Sequence, residues 1–359
     1  MASWDTIVLG VNCNGDPDLA RASAYPVYPA WPGGDPLGIG RLKELCTKHR
    51  PDLIVLQTNP WHAPVYQISL HRLGFGNIPV VGIIAVEGKN CVGEQLNRLQ
   101  RAVFWTTFGQ REAALGGMTI PSCVVPLGVD TEYYTPGDRT AAREMLGLGA
   151  VPLDAFIVGN VNRNQNRKRL DLSIIFFAEW IHEKKIRDAY LYLHVLPGSG
   201  TRINLQQLAT YMGCVDRLIL AEPKDVFHGA PEKFVRAGYQ AFDVGLTTTL
   251  GEGMGLTTLE GMACGIPQIA GDYAAIGEWG RNAVYLVNCN SEGVMPDVNN
   301  MIGSAPDKTE VIEALDLFYR DHHAREVYGN SCLARARELQ FNWDHVASAF
   351  ADAFEGVVS

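Results

Sequence analysis

The stretch Thr248-Thr-Leu-Gly-Glu-Gly-Met-Gly-Leu-Thr-Thr-Leu-Glu-Gly-Met-Ala-Cys-Gly-Ile-Pro267 decides how this chain is read. Glycines at 251, 253 and 255 surround an acid, Glu252, and lead into a helix-like segment that carries a second acid, Glu260. Gly265 ends that segment ahead of a short apolar run at residues 266–270. Glycine lets backbone N–H groups approach a ligand closely, and a helix N-terminus attracts anions, so a phosphate is the natural guest of such a turn. Acids eight residues apart on one helix would stand roughly 12 Å apart along its axis, at about 1.5 Å per residue. Two carboxylates that share one glycosidic bond are separated by about 5–9.5 Å. The spacing therefore suits one long ligand held at both ends, such as a nucleotide-sugar, unless loop geometry at Glu252 shortens it. The plainer alternative is a glycine-rich turn before a core helix, with both glutamates in solvent.

The run from Gly251 to Gln268 resembles the Glu, seven residues, Glu motif of glycosyltransferase family 4, in the GT-B superfamily, in its surroundings as well as its acids. The resemblance implies that Glu252 lies by the donor sugar and that Glu260 holds the ribose hydroxyls of the nucleotide. It also implies that the amides of Gly253, Met254, Gly255 and Leu256 receive the diphosphate.

Composition narrows the alternatives. A chain of 359 residues is long enough for two domains with separate cores. Its net charge of −9 argues against a protein that grips nucleic acid by broad phosphate neutralisation. The eight cysteines contain no Cys-x-x-Cys pair, so neither a zinc ribbon nor a redox motif is suggested, and reduced core thiols are expected. The N-terminus has no basic region before an apolar run, and no apolar stretch reaches membrane-spanning length. A cytoplasmic protein with no stable membrane span is the expectation.

Before the motif, the chain alternates short apolar runs with amphipathic segments, which implies doubly wound parallel sheets. Residues 6–11 read as a buried strand, and Gly15 in the turn behind it is a candidate for facing the cleft, with a simple turn as the other reading. Asp16-Pro-Asp18 spells an Asp-x-Asp, but two acids around a proline in a turn are expected to cap a loop, and no metal site is assigned. Residues 21–35 read as an ordered loop. Helices are expected at 39–49, 62–73, 92–100 and 108–115, and strands near 53–56, 78–86, 102–105 and 123–125.

The family resemblance continues in outline through Pro51-Asp-Leu-Ile-Val-Leu-Gln57 and is closer at Val124-Val-Pro-Leu-Gly-Val-Asp-Thr-Glu-Tyr-Tyr-Thr-Pro136, a passage that normally ends the first domain. One departure matters. Many family members carry a histidine at the end of the strand matching residues 80–86, where this sequence has Glu87. Glu87 could orient the acceptor hydroxyl or the donor sugar, or be a loop acid, and the two kinds of reading stand level. His62 is the nearest histidine in sequence that could compensate.

The second half restarts the same grammar. A strand at 155–159 is followed by Asn160-Val-Asn-Arg-Asn-Gln-Asn-Arg-Lys-Arg-Leu-Asp171, whose polar donors and four basic residues make an anion site at a helix start. The resemblance implies that Arg163 and Lys168 neutralise the donor diphosphate. The loop is about three residues longer than the common form, so Arg167 or Arg169 could stand in for either. Further strands are expected at 190–196, 218–221 and 283–287, and helices at 205–212, 231–239, 310–320 and 323–339, with residues 241–246 leading into the motif. Residues 291–308 read as irregular, and a final helix begins near Asn342 or Asp344.

The expectation is thus an α/β chain of GT-B type, with two Rossmann-like doubly wound parallel-sheet domains facing a central cleft. Residues 1–136 would form the acceptor-side domain, residues 137–339 the nucleotide-sugar domain, and residues 340–359 a helix crossing back to the first. The activity that the resemblance implies is retaining, metal-independent glycosyl transfer from a nucleotide-diphosphate sugar (a UDP-sugar among the candidates), with Glu252 and Glu87 at the reacting centre and no cofactor. The acceptor is open: glycan, lipid, protein, small molecule or nucleic-acid base. The alternatives are a nucleotide-sugar epimerase of the same fold and a nucleotide-sugar-binding protein without turnover.

Overall fold

The structure, a computed structural model, describes residues 4–11, 13, 25–30, 34–195, 203–221 and 230–358. Gly15 and the Asp16–Asp18 acids lie outside the described residues.

In the N-terminal part, β1 (Val8–Gly10) pairs in parallel with β2 (Val27–Pro29). Residues 21–35, expected as a loop, thus contain a short strand. Helix α1 (Ile39–His49) follows, burying Leu42, Leu45 and Cys46 at three- and one-residue steps along one face. Strand β3 (Ile54–Thr58), helix α2 (Ala63–Arg72), strand β4 (Val80–Ile84), strand β5 (Arg101–Phe104), helix α3 (Thr107–Leu115) and strand β6 (Ser122–Val124) come next. The four strands from β3 to β6 pair in sequence order as one parallel sheet. The helix expected at 92–100 is only a single 3-10 turn, Gly93–Leu96. Leu96 and Leu99 are both buried, and their three-residue spacing is met equally by one short turn.

The second part is built on six parallel strands in the order β12-β11-β10-β7-β8-β9. Along the chain these are α4 (Arg139–Met145), β7 (Phe156–Val161), α5 (Leu170–Glu183), β8 (Ala189–His194), α6 (Leu205–Tyr211), β9 (Leu218–Ala221), α7 (Glu232–Ala241) and β10 (Val244–Leu246), then α8 (Leu256–Ala263), β11 (Gln268–Gly271), α9 (Ala274–Trp279) and β12 (Tyr285–Val287). One core packs Leu170, Ile174, Phe177 and Ile181 of α5 against this sheet, and another packs α7 and α8 against it through Ala237, Tyr239, Leu259 and Met262. The strand order reverses between β7 and β10. In an open α/β sheet the crevice at such a reversal is where ligands bind.

Beyond β12 the chain departs from expectation. Residues read as irregular form an antiparallel hairpin, β13 (Cys289–Met295) and β14 (Met301–Pro306), in register at Glu292↔Ser304 and Val294↔Ile302. No alternating pattern announces it, because its buried residues face the other domain. Met295, Val298 and Met301 sit in the core formed by Leu42, Val86, Cys91 and Phe108. Each apolar side chain so buried contributes about 1.5–3 kcal/mol.

Helices α10 (Lys308–Arg320), α11 (His322–Ala336) and α12 (Trp343–Val358) complete the chain. The Asn342 side chain caps α12 by accepting hydrogen bonds from the amides of Asp344 and His345 at 3.0 and 3.2 Å. Helix α12 returns to the first sheet, where Val346 and Ala353 pack with Val81, Val103 and Val125. Arg101 Nη1 donates to the Ala353 carbonyl at 2.9 Å. Among the described residues no helix is long and apolar enough to cross a membrane.

Candidate active site

The loops leaving β7 and β10 are tied together by buried polar groups. Leu250 N donates to the Arg167 carbonyl at 2.7 Å, and Thr248 Oγ1 donates to the Arg169 carbonyl at 2.7 Å. Thr248 Oγ1 also lies 2.7 Å from Ser173 Oγ, which accepts from Asn160 Nδ2 at 3.0 Å. Asn162 Nδ2 in turn donates to Asn160 Oδ1 at 2.8 Å. Such a network of buried hydrogen bonds holds two loops in one geometry.

That geometry brings the basic loop onto the first acid of the motif. Lys168 Nζ donates to Glu252 Oε1 at 2.5 Å, and Arg167 Nη1 donates to Glu252 Oε2 at 3.0 Å and to the Gly251 carbonyl at 3.1 Å. Burial alone would raise the Glu252 carboxyl, but Lys168 and Arg167 together bring it down to about 2. Burial lowers the Lys168 ammonium to about 8, with Glu252 opposing. The neighbouring Arg167 and Arg163 guanidinium groups add to that lowering. Of the other cations in the loop, Arg163 is exposed and lines the cleft, while Arg169 pairs with Asp171 at 2.9 Å.

The glycine turn is shaped by close approaches. A Cβ at Gly251 would fall 1.9 Å from the Glu87 carbonyl oxygen of the first domain. Gly255 has φ +84°, and a Cβ there would lie 2.9 Å from Ile276. Trp279 Nε1 donates to the Met254 carbonyl at 2.8 Å, which holds the turn from behind. Gly255 then starts α8 with no side-chain cap, so its first amides remain for a ligand. Glu252 precedes this helix, so the two acids do not share one helical axis.

Glu260 sits one turn into α8 and accepts a hydrogen bond from Tyr239 Oη at 2.7 Å. Burial raises its carboxyl to about 7; the Tyr239 hydrogen bond opposes the rise and the nearby Glu232 adds to it. It does not line the main cleft, whereas Leu256 and Thr257, a turn earlier, do.

The cleft has a volume of about 900 Å³ and is lined from both domains. Small-molecule sites span about 300–1,000 Å³, so there is room for a long ligand and a second, smaller one. The second domain contributes Asn162, Arg163, Arg167, Lys168, Glu252, Gly253, Met254, Gly255 and Leu256. The first contributes Gln57, Asn59, Trp61, His62, Glu87 and Trp105. Glu87 and His62 therefore line one cleft. Burial pushes Glu87 above the usual carboxylate range, with Arg167 opposing and Glu252 adding to the rise. Among the described residues, three buried side-chain atoms in this lining have no hydrogen-bond partner: Glu87 Oε2, Trp105 Nε1 and Asn162 Oδ1. Buried polar atoms are normally paired, so their gathering in one cleft marks a place built for a polar ligand.

Sequence reasoning did not single out Asn162, Trp105, Trp61 or Asp297. Trp105 directly follows β5, and its place at the C-terminal end of a strand was the available signal. Asp297, in the 3-10 turn Pro296–Val298 at the hairpin tip, also lines the cleft and had no sequence signal.

Residues 153–303 match the family model described as Glycosyl transferases group 1. Among similar curated proteins is the D-inositol 3-phosphate glycosyltransferase of Geodermatophilus obscurus, 36% identical over 159 residues, which cover 43% of this chain and 33% of that one. The protein of the same name from Stackebrandtia nassauensis is 31% identical over 241 residues, 65% of this chain and 49% of that one. The chain spans half or less of the length of these two relatives. Among solved structures, that of Anabaena Alr3699/HepE in complex with UDP and glucose has a TM-score of 0.75 at 17% identity, covering 98% of this chain and 91% of that one. Sucrose-phosphate synthase from Thermosynechococcus elongatus gives 0.73 at 17% identity, covering 99% and 89%. These likenesses show the fold, which is GT-B: two Rossmann-like domains about a cleft.

Proposed function

We propose, from a chain whose residues 153–303 match the group 1 glycosyltransferase family model, that this protein moves a sugar from a nucleotide-diphosphate donor to an acceptor hydroxyl, with retention and without a metal. The observation that carries the reading is the meeting of the basic loop with the glycine turn at the strand-order reversal, where Lys168, Arg167 and Glu252 are locked together. As the bond from the anomeric carbon to the diphosphate breaks, its electron pair stays on the diphosphate. Arg163, Lys168 and the amides of Gly253–Leu256 stabilise that charge, a task that cations and preorganised amides perform without a divalent ion. The acceptor oxygen takes the vacated bond and its proton passes to the departing diphosphate. Glu252 positions the sugar hydroxyls, and Glu260 takes the ribose hydroxyls beyond the first turn of α8. Glu87, facing the cleft with an unpartnered oxygen, orients the reacting hydroxyl or the sugar.

UDP-sugars head the list of donors because UDP and glucose occupy the Anabaena neighbour, and inositol phosphates belong on the acceptor panel because of the relatives' names. The test is product analysis by NMR after incubation with UDP-, GDP- and ADP-sugars in EDTA. The reading expects free nucleoside diphosphate and a new glycoside with the donor's anomeric configuration. A donor returned with an inverted ring carbon would instead identify an epimerase, and a donor bound but unchanged with every acceptor would identify a binding protein.

A further inference from the structure

The hairpin β13–β14 belongs to the second domain by chain connection and by the Ser304 amide's bond to the Leu250 carbonyl at 2.8 Å, and it also packs into the core of the first. Met295 and Met301 are each 1% exposed, and with Val298 they are buried among first-domain residues such as Val86 and Cys91. Lys89 and Ile302 exchange both backbone hydrogen bonds at 2.9 Å, an isolated rung of antiparallel ladder across the domain boundary. Tyr273 Oη accepts from Lys89 N at 3.3 Å and donates to the Ile302 carbonyl at 2.5 Å, and Asn90 Nδ2 donates to the Asn300 carbonyl at 3.1 Å. A Cβ at Gly88 would meet the Ile302 carbonyl oxygen at 2.4 Å, so the two backbones are in contact beside Glu87. The tip places Asp297 and Val298 in the cleft wall.

We infer that this hairpin is a clasp that fixes Glu87 opposite Glu252 before any ligand arrives, so that a nucleotide-sugar enters a preassembled cleft without rotation of the domains. For the domains to part, three buried apolar side chains would have to pass into water. The Lys89–Glu292 ion pair at 2.5 Å is half-exposed and adds little. The ligand half of the inference rests on the donor-binding reading above; the clasp half does not.

The experiment combines small-angle X-ray scattering with amide hydrogen exchange, in the presence and absence of UDP, GDP and ADP. In the free wild-type protein the amides of Lys89 and Ile302 should exchange as slowly as those of β4, and the radius of gyration should not change with nucleotide. Met295→Glu/Met301→Glu should enlarge the free protein and make its size contract with nucleotide. If the double variant fails to fold, Lys89→Pro removes the bond from the Lys89 amide to the Ile302 carbonyl and leaves the core residues alone; with half the rung gone, the Ile302 amide, bonded to the carbonyl at 89, should exchange faster than in the wild type. Free exchange at Lys89 and Ile302 in the unliganded wild type, or contraction of the wild type on binding nucleotide, would overturn the clasp. If calorimetry in the same samples finds no nucleotide bound, the donor reading fails, while exchange and size of the free protein still decide the clasp.

Discussion

Glu252 and Glu260 are both withdrawn from water, yet their neighbours set them on opposite sides of the ordinary carboxylate range. Glu252 faces two cations and is held down to about 2, so its contribution to stability is fully present above its unfolded value near 4.5 and is lost as pH falls toward 2. Removing its charge leaves Lys168 buried without a partner. Glu252→Gln is expected to lower stability by about 3–5 kcal/mol, the cost of breaking a buried pair from one side, measured by urea unfolding at pH 7. No cation among the described residues offsets the burial of Glu260, and its carboxyl is raised to about 7. Its sign is reversed: the stability it contributes is present below about 4.5 and is lost as pH rises through 7. If ionised Glu260 accepts the ribose hydroxyls, nucleotide affinity should rise between pH 6 and 8, approaching about tenfold per unit below the transition. Calorimetry at a series of pH values should show this rise, and Glu260→Gln should flatten it. A rise that survives the substitution would move the ribose contact elsewhere.

At the level of elements, the turn before α8 is where geometry is least forgiving. Gly255→Ala would place a side chain at φ +84° against Ile276, with a cost of about 1–3 kcal/mol for the strained backbone together with a displaced helix start. The expected result is both a lower unfolding midpoint and weaker nucleotide binding, whereas a change at an indifferent turn would leave binding alone. This turn and the basic loop were legible in the sequence because each is a local pattern: glycines around an acid, or cations directly after an apolar run. Helix α1 was legible for the same reason, from Leu42, Leu45 and Cys46 on one face. The hairpin was not, since Met295 and Met301 find their partners in another domain and their own neighbours in sequence show no period. Trp105 was read as the end of a strand, and only the pairing of β5 with β4 and β6 shows that it emerges at the cleft. Glu87 was visible as a departure from the family pattern, but its burial in the cleft, with its backbone carbonyl against Gly251 of the other domain, was not.

On the scale of the whole molecule, contacts among the described residues join the domains besides the cleft itself. Helix α12 lies on the first sheet, the hairpin enters the first core, and the Glu278 carboxylate accepts from the amides of Thr107 and Phe108 at 2.9 and 2.7 Å, where it meets the positive end of α3. The cleft between them collects cations on one wall, and aromatic residues with Glu87 on the other, an asymmetry suited to a charged donor and a hydroxylated acceptor. The most direct test is isothermal titration calorimetry of UDP, GDP and ADP in EDTA, on the wild type and on Lys168→Ala. The account predicts that one nucleotide binds with the chelator present, and that Lys168→Ala weakens it at least about tenfold, or about 1.4 kcal/mol. Binding of none, binding only with added divalent metal, or equal binding by Lys168→Ala would contradict it.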